Sequence, residues 1–194
     1  MNRLSIAAAA SVTEADLKSA RLGQRFGRLD LQSQLSLLAV AELKVDFFAF
    51  ANGRVGIVFA ASAGSLSTDV NFWNGRNGVG GPSPTLFAYT LPSAAVGEIA
   101  IHFKLTGPDL CFVGDRSVLL PEAADMIARG EVDACVCVFC EAVTVDCGKM
   151  ILLPPAAAAH AVLLKSDGGI MELPDFDRDI KSLCALISST KSAR

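Results

Sequence analysis

The chain has 194 residues, of which 52% are hydrophobic and 19% charged, with a net charge of -3. That length is enough for one domain with a full core, 1–194. The charge excludes the clustered Lys and Arg of a nucleic-acid footprint, and no apolar run is long enough to span a bilayer. Ser5 to Ala10 is too short and too small-residue-rich for a signal peptide, so the expected location is cytoplasmic.

Residues 3 to 10 form a plausible first strand, although alanine is a weak strand former. Val12 to Gly27 is polar and basic and reads as a surface excursion. Asp30 can cap a helix whose apolar side is set by Leu31, Leu35, Leu38 and Ala39. Phe47, Phe48 and Phe50 read as core, with an oligomer interface as the second reading. Asn52-Gly53 makes a turn, and Arg54 to Ala60 a strand. Ser62 to Leu66 is a loop, and Asp69 to Trp73 begins a helix. The stretch 74–84 carries Gly75, Gly78, Gly80 and Gly81, but no Walker lysine with Ser/Thr follows at the spacing a phosphate loop needs. A loop beside an interface or tunnel mouth is the better reading.

Pro84 to Cys140 organises the chain. Ser93 is placed to cap a helix with Ala95, Val96, Ile99, Ala100 and Phe103 on one face. Gly107-Pro108 stops that helix. Leu110 to Val113 is short and apolar, as a strand covered on both faces should be. Gly114-Asp115-Arg116-Ser117 is a polar bend, and a helix from about Pro121 to Ala128 follows. Gly130 ends it, and Ala134 to Phe139 is the next buried strand. A strand, a sharp bend and a helix is how α/β enzymes hold up a nucleophile. Beyond it, Pro154-Pro155 breaks the chain, and Ala158 to Leu164 is a strand. Asp167-Gly168-Gly169 is a hairpin turn, with Ile170 to Leu173 returning. Asp177 or Asp179 opens a last helix.

The segments Pro92–Ile101 (PSAAVGEIAI), Gly107-Pro108 and Gly130–Ala134 (GEVDA) resemble, in order, the N-terminal half of the β-ketoacyl synthases of the thiolase-like superfamily. Gly27–Leu35, Gly56–Phe59 and the strand from Ala158 resemble further family segments, so the resemblance covers most of the chain. It implies an α/β fold, a three-layer thiolase-like half. Its sheet would be mixed, mostly parallel and five-stranded, with helices on both faces. It also implies a Cys at the bend. Counted forward from Gly107-Pro108 that position is Arg116; counted back from Gly130 it is Val113, three residues earlier. Neither is a cysteine. The family's second half carries two catalytic histidines, or a His and an Asn, and is expected to be absent here.

Acyl transfer at a cysteine needs a thiolate, a base and an oxyanion hole. Cys111 lies before the bend, on the strand, where a cysteine is more often an apolar filler. The two histidines, His102 and His160, each read as partly buried and hydrogen-bonded, with a Cys111–His102 pair as the catalytic alternative. Val113, Gly114, Asp115, Arg116 and Ser117 read as a degenerate elbow. Asp115 and Arg116 would salt-bridge each other or a neighbouring subunit, or Arg116 would meet a carrier's phosphate. Cys135, Cys137 and Cys140 lack a second ligand pair at zinc-finger spacing and read as structural thiols; no metal or cofactor is expected. The resemblance implies a non-catalytic, chain-length-factor-like subunit pairing with a full-length ketosynthase in fatty-acid or polyketide (for example aryl polyene) biosynthesis, and meeting an acyl carrier protein. The alternatives are an acyltransferase or thioesterase using Cys111, and a homodimeric binding or assembly protein.

Overall fold

The computed structural model describes residues 4–50, 54–143 and 157–166. The turn at 52–53, the break at 154–155, the hairpin at 167–173, the last helix, Cys147 and Cys184 lie outside these residues.

Among the described residues the regular elements follow one another as β1 (Leu4–Thr13), α1 (Leu31–Ala41), β2 (Val55–Ala61), α2 (Leu66–Gly75), α3 (Pro84–Ala88), α4 (Ala94–Phe103), β3 (Asp109–Val113), α5 (Leu119–Ala128), β4 (Ala134–Glu141) and β5 (Ala158–Ser166). Short 3-10 turns at Glu14–Lys18, Phe26–Arg28 and Phe47–Ala49 fill the excursions.

The strands make one five-stranded sheet in the order β1-β5-β4-β2-β3. β4, β2 and β3 run parallel. β5 is antiparallel to both β4 and β1 and runs against the other four described strands. The sheet is therefore mixed and mostly parallel. β2 and β4 are buried along almost their whole length, because both sheet faces are covered. One face holds Ile57, Phe59, Val136, Val138, Ala161 and Leu163 against α1 and α4. The other holds Val58, Ala60, Cys135, Cys137, Phe139 and Val162 against α5. Two helices, a sheet and a helix give three layers. Burying a side chain such as Phe59 or Leu163 contributes about 1.5–3 kcal/mol.

Alanine runs through β1 despite its low strand propensity, since small side chains at 8, 10 and the nearby Val12 let the strand fit against α1. α1 is capped by Asp30, whose Oδ1 accepts the Ser33 N–H at 3.0 Å and whose Oδ2 accepts the Thr68 hydroxyl at 2.8 Å. The helix is not merely one-sided. Gln32, Ser33 and Ser36 are buried together with Leu35, Leu37, Leu38, Ala39 and Val40, because neighbours pack on it from several directions. α5 is simpler. Leu119, Ala123, Met126 and Ile127 face the sheet, and Asp125 and Arg129 form an outward ion pair at 3.6 Å.

Four expectations are corrected. Among the described residues β3 is the sheet's edge, so its apolar run is only partly covered: Leu110, Cys111 and Phe112 are half-buried and Val113 is 60% exposed. Ser93 occupies the N-cap position of α4 in αR geometry and makes no side-chain cap, so the helix starts without it. α2 begins at Leu66, three residues before Asp69. The three phenylalanines separate: Phe47 is buried edge-on against Phe103 at 5.3 Å, Phe50 packs partly on the core, and Phe48 is 72% exposed. Among the described residues no helix is long and apolar enough to cross a membrane.

Candidate functional site

The bend between β3 and α5 stands at the carboxyl ends of the parallel strands, where open α/β sheets collect their ligands. Gly114 has φ +105°, a left-handed conformation that suits glycine. Its N–H donates to the Ala61 carbonyl at 2.9 Å, which ties the bend to the end of β2. Asp115 then closes the turn on itself. Its carboxylate accepts the Ser117 N–H at 2.8 Å and the Ser117 hydroxyl at 2.7 Å. The backbone bond first and the hydroxyl second hold the Asp115 carboxyl below the usual carboxylate range. The charge of Arg116 beside it lowers it further, while the hydrogen bonds of the Asp115 carboxylate go to Ser117.

Arg116, where the forward count puts the family's cysteine, folds back over the sheet. Its guanidinium carbon lies 5.2 Å from the Phe139 ring centre, and Nη1 is 4.0 Å from Glu141 Oε1. Phe139 and Glu141 alternate onto the α5 face of β4. A cation over an aromatic face thus stands at the elbow, with Ser117 engaged by Asp115. Neither offers sulfur chemistry.

Cys111 is on the other face. It packs against the α1 and α4 cluster, whereas Leu110 and Phe112 pack toward α5. Burial first, and the charge of Asp109 second, push its thiol above the ordinary 9.0. His102 is exposed on α4, with its ring edge-on to Phe103 at 4.7 Å. It lines a small pocket with Phe26, Leu29 and Glu98 that does not include Cys111. The sheet, with its two faces, is what separates Cys111 from the elbow.

The remaining thiols divide likewise. Cys135 and Cys137 are fully buried on the α5 face, and Cys140 on the α1 face. Burial pushes Cys140 up to about 12. A hydrogen bond with Cys135, and then burial, push Cys137 well above its ordinary value. Among the described residues no group of three or more His, Cys, Asp or Glu side chains is arranged to hold a metal ion.

Two features escape a linear reading. His160 Nδ1 is 2.9 Å from Ser11 Oγ, a pair 149 residues apart in sequence. Only the strand register, which sets Ser11 opposite His160 and His160 opposite Phe139, brings them together. The second is a groove of about 410 Å³ between α2 and α3, lined by Val70, Phe72, Trp73 and Phe87. Trp73 and Phe87 are about 60% exposed there, at 61% and 60%. The glycine-rich loop leaves from its rim.

No family model and no curated protein matches the chain. Solved structures do. The ishigamide ketosynthase/chain length factor superposes with a TM-score of 0.67 at 15% identity, over 89% of this chain and 64% of that one. The ketosynthase ApeO in complex with its chain length factor ApeC, from Xenorhabdus doucetiae, gives 0.61 at 18% identity, over 87% and 81%. AntDE:AntF, a type II polyketide acyl-carrier protein in complex with its ketosynthase, gives 0.66 at 14%, over 86% and 63%. The chain therefore spans under two thirds of the first and third of these neighbours. The chain shares the ketosynthase-like thiolase fold of these neighbours.

Proposed function

We propose that this chain is a ketosynthase-like domain over 1–194 that acts as a chain-length-factor-like subunit. It lacks the condensing nucleophile and pairs with an active ketosynthase in fatty-acid or polyketide biosynthesis. The observation that carries the reading is the elbow. The chain bends sharply there, with Gly114 bonded to Ala61, and the residues on the bend are Asp115, Arg116 and Ser117, with Asp115 closed onto Ser117 and Arg116 turned to Phe139 and Glu141. The reading is supported by neighbours that are ketosynthase/chain length factor assemblies, one of them holding an acyl carrier protein.

The outer edge of β3, which no strand among the described residues pairs, supports a partner. An edge strand offers unpaired backbone N–H and C=O groups that a second strand can take up. Val113, at its end, packs beside Gly64 and is otherwise largely exposed. The same edge would serve a homodimer, which is the second reading. The third, a free-standing acyltransferase or thioesterase using Cys111, is disfavoured by a raised thiol on the wrong face of the sheet.

The test is co-expression of tagged chain with a full-length ketosynthase of a ketosynthase/chain length factor pair. Retention of the ketosynthase, lost on Val113→Lys, is the expected result. A chain that retains none, and runs as a monomer or homodimer, contradicts the proposal.

A further inference from the structure

The Ser11–His160 pair has a different geometry from anything the elbow supplies. Ser11 is exposed near the end of β1, and His160 sits opposite it on β5, partly covered. Their side chains meet at 2.9 Å, the separation of a nucleophile and its base. Both lie on the α5 face, in one cross-strand row with Phe139. Arg116 stands over that same Phe139 ring, so the pair adjoins the elbow at the carboxyl ends of the parallel strands. The immediate floor is apolar: Phe139, Ala9 and Val162 belong to the cluster on this face. Such a floor suits an acyl chain better than a polyanion.

From this juxtaposition we infer that Ser11 is a nucleophile toward activated acyl groups, with His160 as its general base, a function separate from pairing with a ketosynthase. In the step, Ser11 Oγ attacks the acyl carbonyl carbon while its proton passes to His160 Nδ1. The ester C–O or thioester C–S bond breaks, and the departing alkoxide or thiolate takes the proton from His160. The acyl group is left on Ser11. Water then attacks that ester with His160 again taking the proton, which releases the carboxylic acid and restores the serine hydroxyl. The sum is ester plus water to acid plus alcohol or thiol, with no oxidant or reductant. The tautomer required has its hydrogen on Nε2, leaving Nδ1 to accept from Ser11.

The experiment uses the full chain and a fluorophosphonate probe, read by peptide mass spectrometry. The expected result is an adduct on Ser11, absent in Ser11→Ala. His160→Gln keeps the shape and slows labelling at least 100-fold, the lower end of what a general base supplies. A melting curve for each variant separates loss of reactivity from loss of fold. Ser11→Cys provides a second readout: its thiol should react with iodoacetamide faster than the same thiol in the His160→Gln background. No adduct at Ser11 in the folded wild-type chain, or equal rates with and without His160 in both readouts, overturns the inference. Ketosynthase retention by Ser11→Ala is unaffected in either case, so failure here is distinct from failure of the subunit reading.

Discussion

Gly107 precedes β3 by two residues and carries no special backbone angle, yet among the described glycines it is the one that tolerates a side chain least. A methyl group there would sit 2.4 Å from the Val55 carbonyl oxygen, 2.7 Å from its carbon and 3.0 Å from the Gly56 nitrogen. All three are backbone atoms at the start of β2, a strand held between β4 and β3, so none can swing aside as a side-chain tip would. The loop before β3 or the strand itself must move. Overpacking of this kind costs about 1–3 kcal/mol, and two hard backbone contacts put Gly107→Ala at the upper end. For a chain this size that lowers Tm by roughly 4–12 °C. Gly97→Ala is the control. It lies within α4, and its methyl would meet nothing within 4 Å. It should gain about 0.5–1 kcal/mol from helix propensity alone. Urea unfolding of both variants measures the two shifts. Equal stability of Gly107→Ala and wild type, or a loss in both, would refute the steric reasoning and the close approach of the β3 entry to β2.

Three further outcomes follow from the same contacts. Asp30→Ala removes both the cap on Ser33 and the acceptor for the buried Thr68 hydroxyl, and should cost about 2 kcal/mol in urea unfolding. Cys140 is pushed from an ordinary 9.0 to about 12, so stability tied to its neutral thiol is complete below pH 9 and is lost as pH rises toward 12. The loss is about 1.4 kcal/mol per pH unit; between pH 8 and 10.5 wild type should fall by roughly 2 kcal/mol more than Cys140→Ala, and parallel curves would remove the assignment. Cys111 should react with iodoacetamide at pH 7.5 at least about tenfold more slowly than glutathione, because its raised thiol is half-buried and little of it is thiolate.

Much of the fold was legible because the strongest signals were local. Gly107-Pro108, Gly130 and Asp30 punctuate the chain by their own chemistry. The buried runs at Val55–Ala61 and Ala134–Glu141 need only be apolar and flanked by turns. What stayed hidden depends on which strand lies outermost. Leu110 to Val113 has the composition of a covered strand, and nothing within those residues says that β3 is an edge. The phenylalanines at 47, 48 and 50 are equally hydrophobic, and only the approach of Phe103 decides which one is covered. The elbow was visible as a bend and as a missing cysteine. The Asp115–Ser117 closure and the turn of Arg116 toward Glu141 were not, since Glu141 is 25 positions away along the chain. Ser11 carried no signal at all before His160 was set opposite it.

The central claim is most directly tested by condensation with purified components. The chain, a full-length ketosynthase of a ketosynthase/chain length factor pair, and acyl- and malonyl-loaded carrier protein are assayed together and singly by mass spectrometry of the products. The subunit account predicts that the chain alone forms no carbon–carbon bond, and that adding it to the ketosynthase gives a stable complex and a changed product length. Elongation by the chain unaided, or a ketosynthase whose mass and products are indifferent to it, would contradict that account.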